Sequence, residues 1–251
     1  MRKELFYNPR LLCERLGVES ARRRRLARLR GTVAASLELG HIDSLELLEL
    51  CRSRRIATIY DIGANVGTWS LLAKAVLPDA AVHAFEPLPA CHDQFQANLT
   101  GIPGIHLHKT ALGRKDATAT MYLGQVTDTS SLLPPGPTVQ EQPAATIDLP
   151  VRALDSFVRE NSLPPADLLK LDVQGFELEV LAGSVDTLRS ASAAICEVSF
   201  TELYHGQCLF ADVVSFLGAH GFGVHAFGAE TARGMPLAQA DVLFLRGAAT
   251  S

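Results

Sequence analysis

Thr58-Ile59-Tyr60-Asp61-Ile62-Gly63-Ala64-Asn65-Val66-Gly67-Thr68-Trp69-Ser70 is the stretch that decides the fold of this 251-residue chain. Ile56 to Ile62 is β-branched and aromatic, which predicts a buried strand. Gly63 and Gly67 permit a turn whose backbone can approach a ligand with no Cβ in the way. Asp61 lies at the strand end, Asn65 at the tightest point of the turn, and Thr68 to Val76 reads as a helix. Strand, glycine turn and helix in that order place a small-molecule site at the carboxyl end of a parallel strand.

Downstream, strands and helices alternate. Ala81–Phe85 is a second strand ending in Glu86-Pro87, followed by a helix from about Pro89 to Leu99. Ile105–His108 and Thr118–Leu123 read as strands, and residues 124–146 as a long loop of the kind that forms lids. Ile147–Val151 reads as an edge strand, Leu154–Glu160 as a helix and Leu168–Val173 as a core strand before the helix Phe176–Leu181. Ala193–Phe200, the amphipathic helix Phe210–His220, and strands at Gly223–Phe227 and Val242–Leu245 complete the pattern. Such alternation predicts a mostly parallel, doubly wound α/β sheet.

Upstream, residues 1–55 read as a helical cap on a domain spanning 56–251. Leu11, Leu12 and Leu16 share one face, Leu26, Leu29, Val33 and Leu37 continue that spacing to Gly40, and Ser44 is placed to N-cap a short helix. The cap holds 13 Lys+Arg against 7 Asp+Glu, centred on Arg22-Arg23-Arg24-Arg25, with Arg28 and Arg30 close by. That run reads as a solvated helix face or a phosphate- or membrane-facing patch. A homodimer through these helices is an open expectation.

The net charge of −4 gives no global basic field, so nucleic acid is not an indicated partner. Five scattered cysteines without a C-x-x-C pair point to a reduced compartment, and no long apolar run marks an integral membrane span. A cytoplasmic location is the expectation. The arginine- and alanine-rich, lysine-poor composition points to a GC-rich bacterial genome.

Three acids fall at strand ends: Asp61, Glu86 and Asp172. In an open parallel sheet these ends share one crevice. Glu86, closing the second strand, is placed to accept two ribose hydroxyls. The glycine spacing is not G-x-G-x-x-G, so a dinucleotide pyrophosphate is not indicated, and Asp61 beside the turn repels phosphate while tolerating a cation. Adenosine at one end and a sulfonium at the other describe S-adenosylmethionine. Two alternatives are a nicotinamide-dependent oxidoreductase, disfavoured by that spacing, and a non-catalytic cofactor-binding module.

Asp61-Ile62-Gly63-Ala64-Asn65-Val66-Gly67, Ala84-Phe85-Glu86-Pro87 and Leu169-Lys170-Leu171-Asp172-Val173-Gln174-Gly175-Phe176-Glu177 resemble the FkbM-type S-adenosylmethionine-dependent methyltransferases. The resemblance extends through Glu197-Val198-Ser199-Phe200, Leu203-Tyr204-His205-Gly206-Gln207 and Ala240-Asp241-Val242-Leu243-Phe244. It implies the class I methyltransferase fold, a Rossmann-like sheet of seven strands with the last antiparallel. It also implies O-methylation of a sugar, glycolipid, polysaccharide or polyketide-type hydroxyl. By resemblance, Asp61, Gly63, Asn65 and Gly67 cradle the methionine part, and Glu86 with Pro87 the ribose. Gln174 departs from the family, which often has Glu there, and His205 stands where an acid is frequent.

Methyl transfer to a hydroxyl calls for a base. Asp172, ending the central strand beside the cofactor, is the first choice, with helix capping as its structural alternative; Glu197 and His205 are the other candidates. Ser130, Ser131, Gln174, Tyr204 and His205 are candidate substrate contacts. A divalent ion held by Asp172, Glu197 and Asp241 is conceivable but not expected. His106 and His108 read as packing or edge residues sharing one strand face, and Trp69 as helix core.

Overall fold

A computed structural model describes residues 20–136, 142–228 and 237–247, with Arg22 excepted. The expected Leu11, Leu12 and Leu16 face therefore lies outside the described residues, as does Arg22.

Seven strands form the main sheet: β1 (Thr58–Ile62), β2 (Ala81–Phe85), β3 (Ile105–His108), β7 (Leu168–Leu171), β8 (Ala193–Ser199), β9 (Phe222–Phe227) and β10 (Gln239–Arg246). Their order is β3-β2-β1-β7-β8-β10-β9. The pairs from β3 to β8 are parallel, and β10 runs antiparallel to both its neighbours. β1 lies inside the sheet and all five of its residues are buried, which is why it shows no apolar–polar alternation. Successive side chains leave opposite faces. Ile59, Leu168, Ile195 and Leu243 join one core with Leu72 and Phe95. Tyr60, Leu169, Leu171, Cys196, Val242 and Phe244 join the other with Leu154, Val180 and Leu217.

The helices that supply these layers follow their strands as a doubly wound sheet requires. α1 (residues 23–28) and α2 (Leu45–Cys51) precede β1. α3 (Thr68–Val76) and α4 (Pro89–Asn98) follow β1 and β2. α5 (Leu154–Asn161), α6 (Glu177–Ala182), α7 (Val185–Ser190) and α8 (Phe210–Ala219) lie further along the chain.

A second sheet departs from the sequence reading. β4 (Ala111–Gly113), β5 (Ala117–Leu123) and β6 (Ala145–Ala153) form a three-stranded sheet in the order β4-β6-β5. The stretch read as an edge strand is thus the middle strand, parallel to β4 and antiparallel to β5. Its alternation is explained by a small core of its own, in which Leu149 and Val151 meet Ala111, Met121, Leu88 and Cys91. This sheet stands beside the end of β2.

The N-terminal segment also differs from its reading. The helix stops at residue 28 and turns occupy 29–36, so Leu29 and Leu37 are buried while Val33 remains 46% exposed. Ser44 precedes α2 but makes no side-chain cap; its hydroxyl donates instead to Asp241 on β10. Arg25 forks onto the Glu46 carboxylate, Nε to Oε1 at 2.9 Å and Nη2 to Oε2 at 2.8 Å. Arg28 donates to Glu46 and Glu49. Two arginines of the basic run are therefore fasteners between α1 and α2 rather than a free cationic face.

At the β3 edge, His106 and His108 share a face as expected and both stack on His83, with centroids 4.9 and 5.3 Å away. His83 Nδ1 lies 3.0 Å from His108 Nε2. Burial, with His108 and His106 adding to it, pushes His83 down to about 4. The fold thus holds His83 neutral while the unfolded chain binds a proton below about 6.5. His83 should therefore withdraw stability as pH falls from about 6.5 toward 4. Thermal unfolding of wild type and His83→Gln at pH 7 and pH 5 checks this: the wild type should lose ground relative to the variant on acidification, whereas parallel shifts would contradict it.

Candidate active site

The ends of β1, β2 and β7 converge on one crevice, as the three strand-end acids require. Gly63 lies against the backbone after β7. A Cβ on it would stand 1.8 Å from the Asp172 carbonyl oxygen, and its φ is +83°, so only glycine lets the two turns meet. Asn65 follows at φ +46°, a conformation asparagine tolerates. Its N–H donates to Glu86 Oε2 at 2.8 Å, and Leu88 N–H donates to Oε1 at 2.7 Å. Glu86 is 5% exposed and fixed by backbone on both oxygens. Burial pushes its carboxyl up to about 7, against the pull of those two N–H groups.

Glu86 stands in a cavity of about 680 Å³ that opens to solvent. Gly63, Asn65, Pro87, Ser130, Asp172 and Gln174 line it too. Its apolar wall includes Leu88, Ala111, Leu112 and Met121, so the second sheet supplies one side of it. A larger cavity of about 1290 Å³ shares Gly63, Asn65, Asp172 and Gln174 with the first, and reaches Glu197, Gln239 and Asp241. Gly40, His41, Asp43 and Ser44 wall it from the N-terminal segment. Trp69, read as helix core, packs against the apolar cluster and also lines this cavity.

Beneath the larger cavity is a residue the sequence reading left aside. Lys170 is the one charge in Leu168-Leu169-Lys170-Leu171 and is 2% exposed. Its Nζ lies 3.1 Å from Asp172 Oδ2 and 3.7 Å from Asp241 Oδ1. Burial opposes its charge, but Asp172, Asp241, Glu197 and Asp61 together outweigh burial and hold the ammonium above its ordinary range. Asp61, Lys170, Glu197 and Asp241 come from four strands and share one sheet face by alternation. The carboxylates that might have held a divalent ion thus gather around an ammonium.

Gln174, at φ +53°, is the second organiser. Its amide donates to Asp172 Oδ1 at 2.9 Å and to Glu197 Oε2 at 3.1 Å. Tyr204 donates to its side-chain oxygen at 3.1 Å, and Ser131 donates to its backbone oxygen at 2.6 Å. Gln239 donates to Glu197 Oε2 at 2.9 Å. Burial, reinforced by Asp172, raises the Glu197 carboxyl well above its ordinary range, partly offset by Lys170. Asp172 spends its carboxylate on Lys170 and Gln174, not on capping the next helix. Glu177 braces that turn instead, accepting from Val173 and Gly175 N–H groups.

Several sequence candidates stand away from the cavities. Asp61 is 1% exposed, accepts the Ser70 hydroxyl at 2.5 Å, and is pushed up to about 6 by burial. A Cβ on Gly67 would strike Leu99 and Phe95, so that glycine serves helix packing. Ser131 is fully buried as a brace for Gln174, whereas Ser130 lines the smaller cavity. His205 is exposed on a turn and lines none of these cavities; its backbone N–H donates to Pro134 O at 2.9 Å.

The Methyltransferase FkbM domain matches residues 61–224, which include the end of β1, Glu86, Lys170, Asp172 and Glu197. The chain belongs to the FkbM methyltransferase family. "Methyltransferase 1" of Beauveria bassiana (strain ARSEF 2860) is 31% identical over 183 residues, 66% of this chain and 72% of that protein. The "31-O-demethyl-FK506 methyltransferase FkbM" of Streptomyces tacrolimicus is 28% identical over 67% of this chain and 73% of its own. The "Hexuronic acid methyltransferase AglP" of Haloferax volcanii is 26% identical, covering 63% of this chain and 62% of its own. The observed strand order, with β10 reversed, is that of the class I methyltransferase fold.

In this FkbM methyltransferase, removing Lys170 leaves buried carboxylates facing one another. Lys170→Met should cost about 3–5 kcal/mol, the scale of a broken buried ion pair. Urea unfolding at pH 7 measures it, and a loss below about 1 kcal/mol would show that the carboxylates do not depend on the ammonium.

Proposed function

We propose that the protein transfers a methyl group from S-adenosylmethionine to a hydroxyl of a sugar, glycoconjugate or polyketide-type molecule. The observation that carries this reading is Glu86, held by backbone at both oxygens at the edge of a half-apolar cavity. Each carboxylate oxygen keeps a lone pair free for a ribose hydroxyl. The apolar wall of Leu88, Leu112 and Met121 suits an adenine ring, and the donor set contains no cation to meet a pyrophosphate there.

When bound, S-adenosylmethionine supplies a methyl carbon made electrophilic by its sulfonium sulfur. The chain's own residues do the rest. Gly63 lets the turn after β1 close onto the backbone of Asp172, a residue that lines both cavities. Lys170 and Gln174 fix the Asp172 carboxylate, so the base does not reorganise during transfer. Asp172 would take the proton of the acceptor hydroxyl as that oxygen is methylated. Glu197, whose carboxyl burial raises, is tied to that base through the Gln174 amide.

Ribose hydroxyls favour the ionised Glu86, so cofactor binding should strengthen as pH rises through about 7. Calorimetry with S-adenosylhomocysteine at pH 6 and pH 8 should give several-fold tighter binding at pH 8. Glu86→Gln should lose about tenfold or more in affinity together with most of that pH response. Unchanged affinity in the variant would refute the ribose assignment.

For the base, Asp172→Asn should keep S-adenosylhomocysteine affinity within a few-fold and lower kcat by about 10²–10⁴. Transfer of labelled methyl to hydroxylated acceptors reads this out; an unchanged kcat would remove Asp172 from the chemistry.

A further inference from the structure

A third cavity, of about 770 Å³, opens beside the second. Leu123, Pro135, Pro143 and Leu203 line it with the rings of Tyr122 and Tyr204 and the amides of Gln125 and Gln142, and among the described residues no charged side chain faces it. It is built rather than incidental. Pro135 bridges Tyr204, Gly136 N–H donates to Leu203 O at 2.7 Å, and the Tyr204 hydroxyl is turned away to Gln174 and the Thr129 carbonyl. Thr129, Gln174 and Gln239 form a wall common to this groove and the second cavity. The groove therefore meets the site at the residue that positions Asp172.

The second cavity has the opposite character. Asp43, Asp128, Asp172, Glu197 and Asp241 line it against the single ammonium of Lys170, with His41 the other titratable group. That ammonium is already held between Asp172 and Asp241, and Arg25 lies 3.8 Å from Asp43, so the acids still outnumber the cations beside them. A cleft lined by one sign of charge focuses its field, and it repels a ligand of the same sign.

We infer that the acceptor is an amphiphile without an acid group, its hydroxylated end in the acidic cavity and its apolar end in the groove of Leu123, Pro135, Pro143 and Leu203. The inference rests on the methyltransferase reading above and narrows its substrate class. It sets this chain apart from AglP, whose name specifies a hexuronic acid. The groove's occupant is the acceptor's apolar portion because groove and catalytic cavity share their wall at Gln174 and Gln239.

The test is calorimetric titration of the full chain saturated with S-adenosylhomocysteine, using methyl β-glucoside, hexyl β-glucoside and hexyl β-glucuronide below their micelle concentrations. Burying two of the five added methylenes already amounts to about tenfold in affinity. Hexyl glucoside should bind at least tenfold tighter than methyl glucoside and at least tenfold tighter than hexyl glucuronide. Leu203→Asn, or Leu123→Asn if the first unfolds, should erase the hexyl advantage while S-adenosylhomocysteine still binds. Equal binding of the methyl and hexyl glucosides, tighter binding of the glucuronide, or no binding by any of the three overturns the inference. If the wild type does not bind S-adenosylhomocysteine, the cofactor reading itself fails, and that result is seen before any acceptor is added.

Discussion

A single buried ammonium constrains this active site. Lys170 sits mid-strand in the centre of the sheet, with carboxylates from β1, β8, β10 and the end of β7 around it. Four acids this close would repel one another and take up protons; one cation among them lets the group persist. The same contact fixes Asp172, because the Lys170 ammonium and the Gln174 amide each take one of its oxygens. Charge pairing and the placement of the proposed base are one arrangement here. Such a buried pair is weak support for net stability, since desolvation opposes it, but it sets which arrangement of strands is allowed.

From that centre the site extends beyond the matched domain. Asp241 and Gln239 lie after residue 224, and Ser44 with Asp43 lies before residue 61. Ser44 donates to Asp241, and Arg25 and Arg28 fasten the helices that carry this segment. On the proposed reading, the cofactor end of the crevice is made within the matched domain, whereas part of the acceptor end is made by chain outside it. That division gives a physical basis for relatives that share a reaction and differ in what they methylate.

Strand ends were legible from the sequence because one rule governs them: a buried parallel strand followed by a turn delivers its last side chains to a common edge. Glu86 and Asp172 are found that way. Spacing alone does not reveal what a glycine makes room for, so Gly63, which admits a neighbouring turn at the site, and Gly67, which admits the Phe95 ring, look alike. Lys170 carried a signal, a lone charge in an apolar strand, but its partners come from strands far apart in the chain. Ser130 and Ser131 are adjacent and point to different places, one to the cavity and one to Gln174. The second sheet was hidden because β4 is only three residues long and pairs with β6 across a wide gap in sequence. Arg25 looked solvated because Glu46 lies 21 residues away.

The most direct measurement is calorimetric binding of two nucleotides to the wild-type protein, S-adenosylhomocysteine and NAD. The account predicts micromolar or tighter binding of S-adenosylhomocysteine at a single site and no measurable heat with NAD. Micromolar binding of NAD without binding of S-adenosylhomocysteine would contradict it.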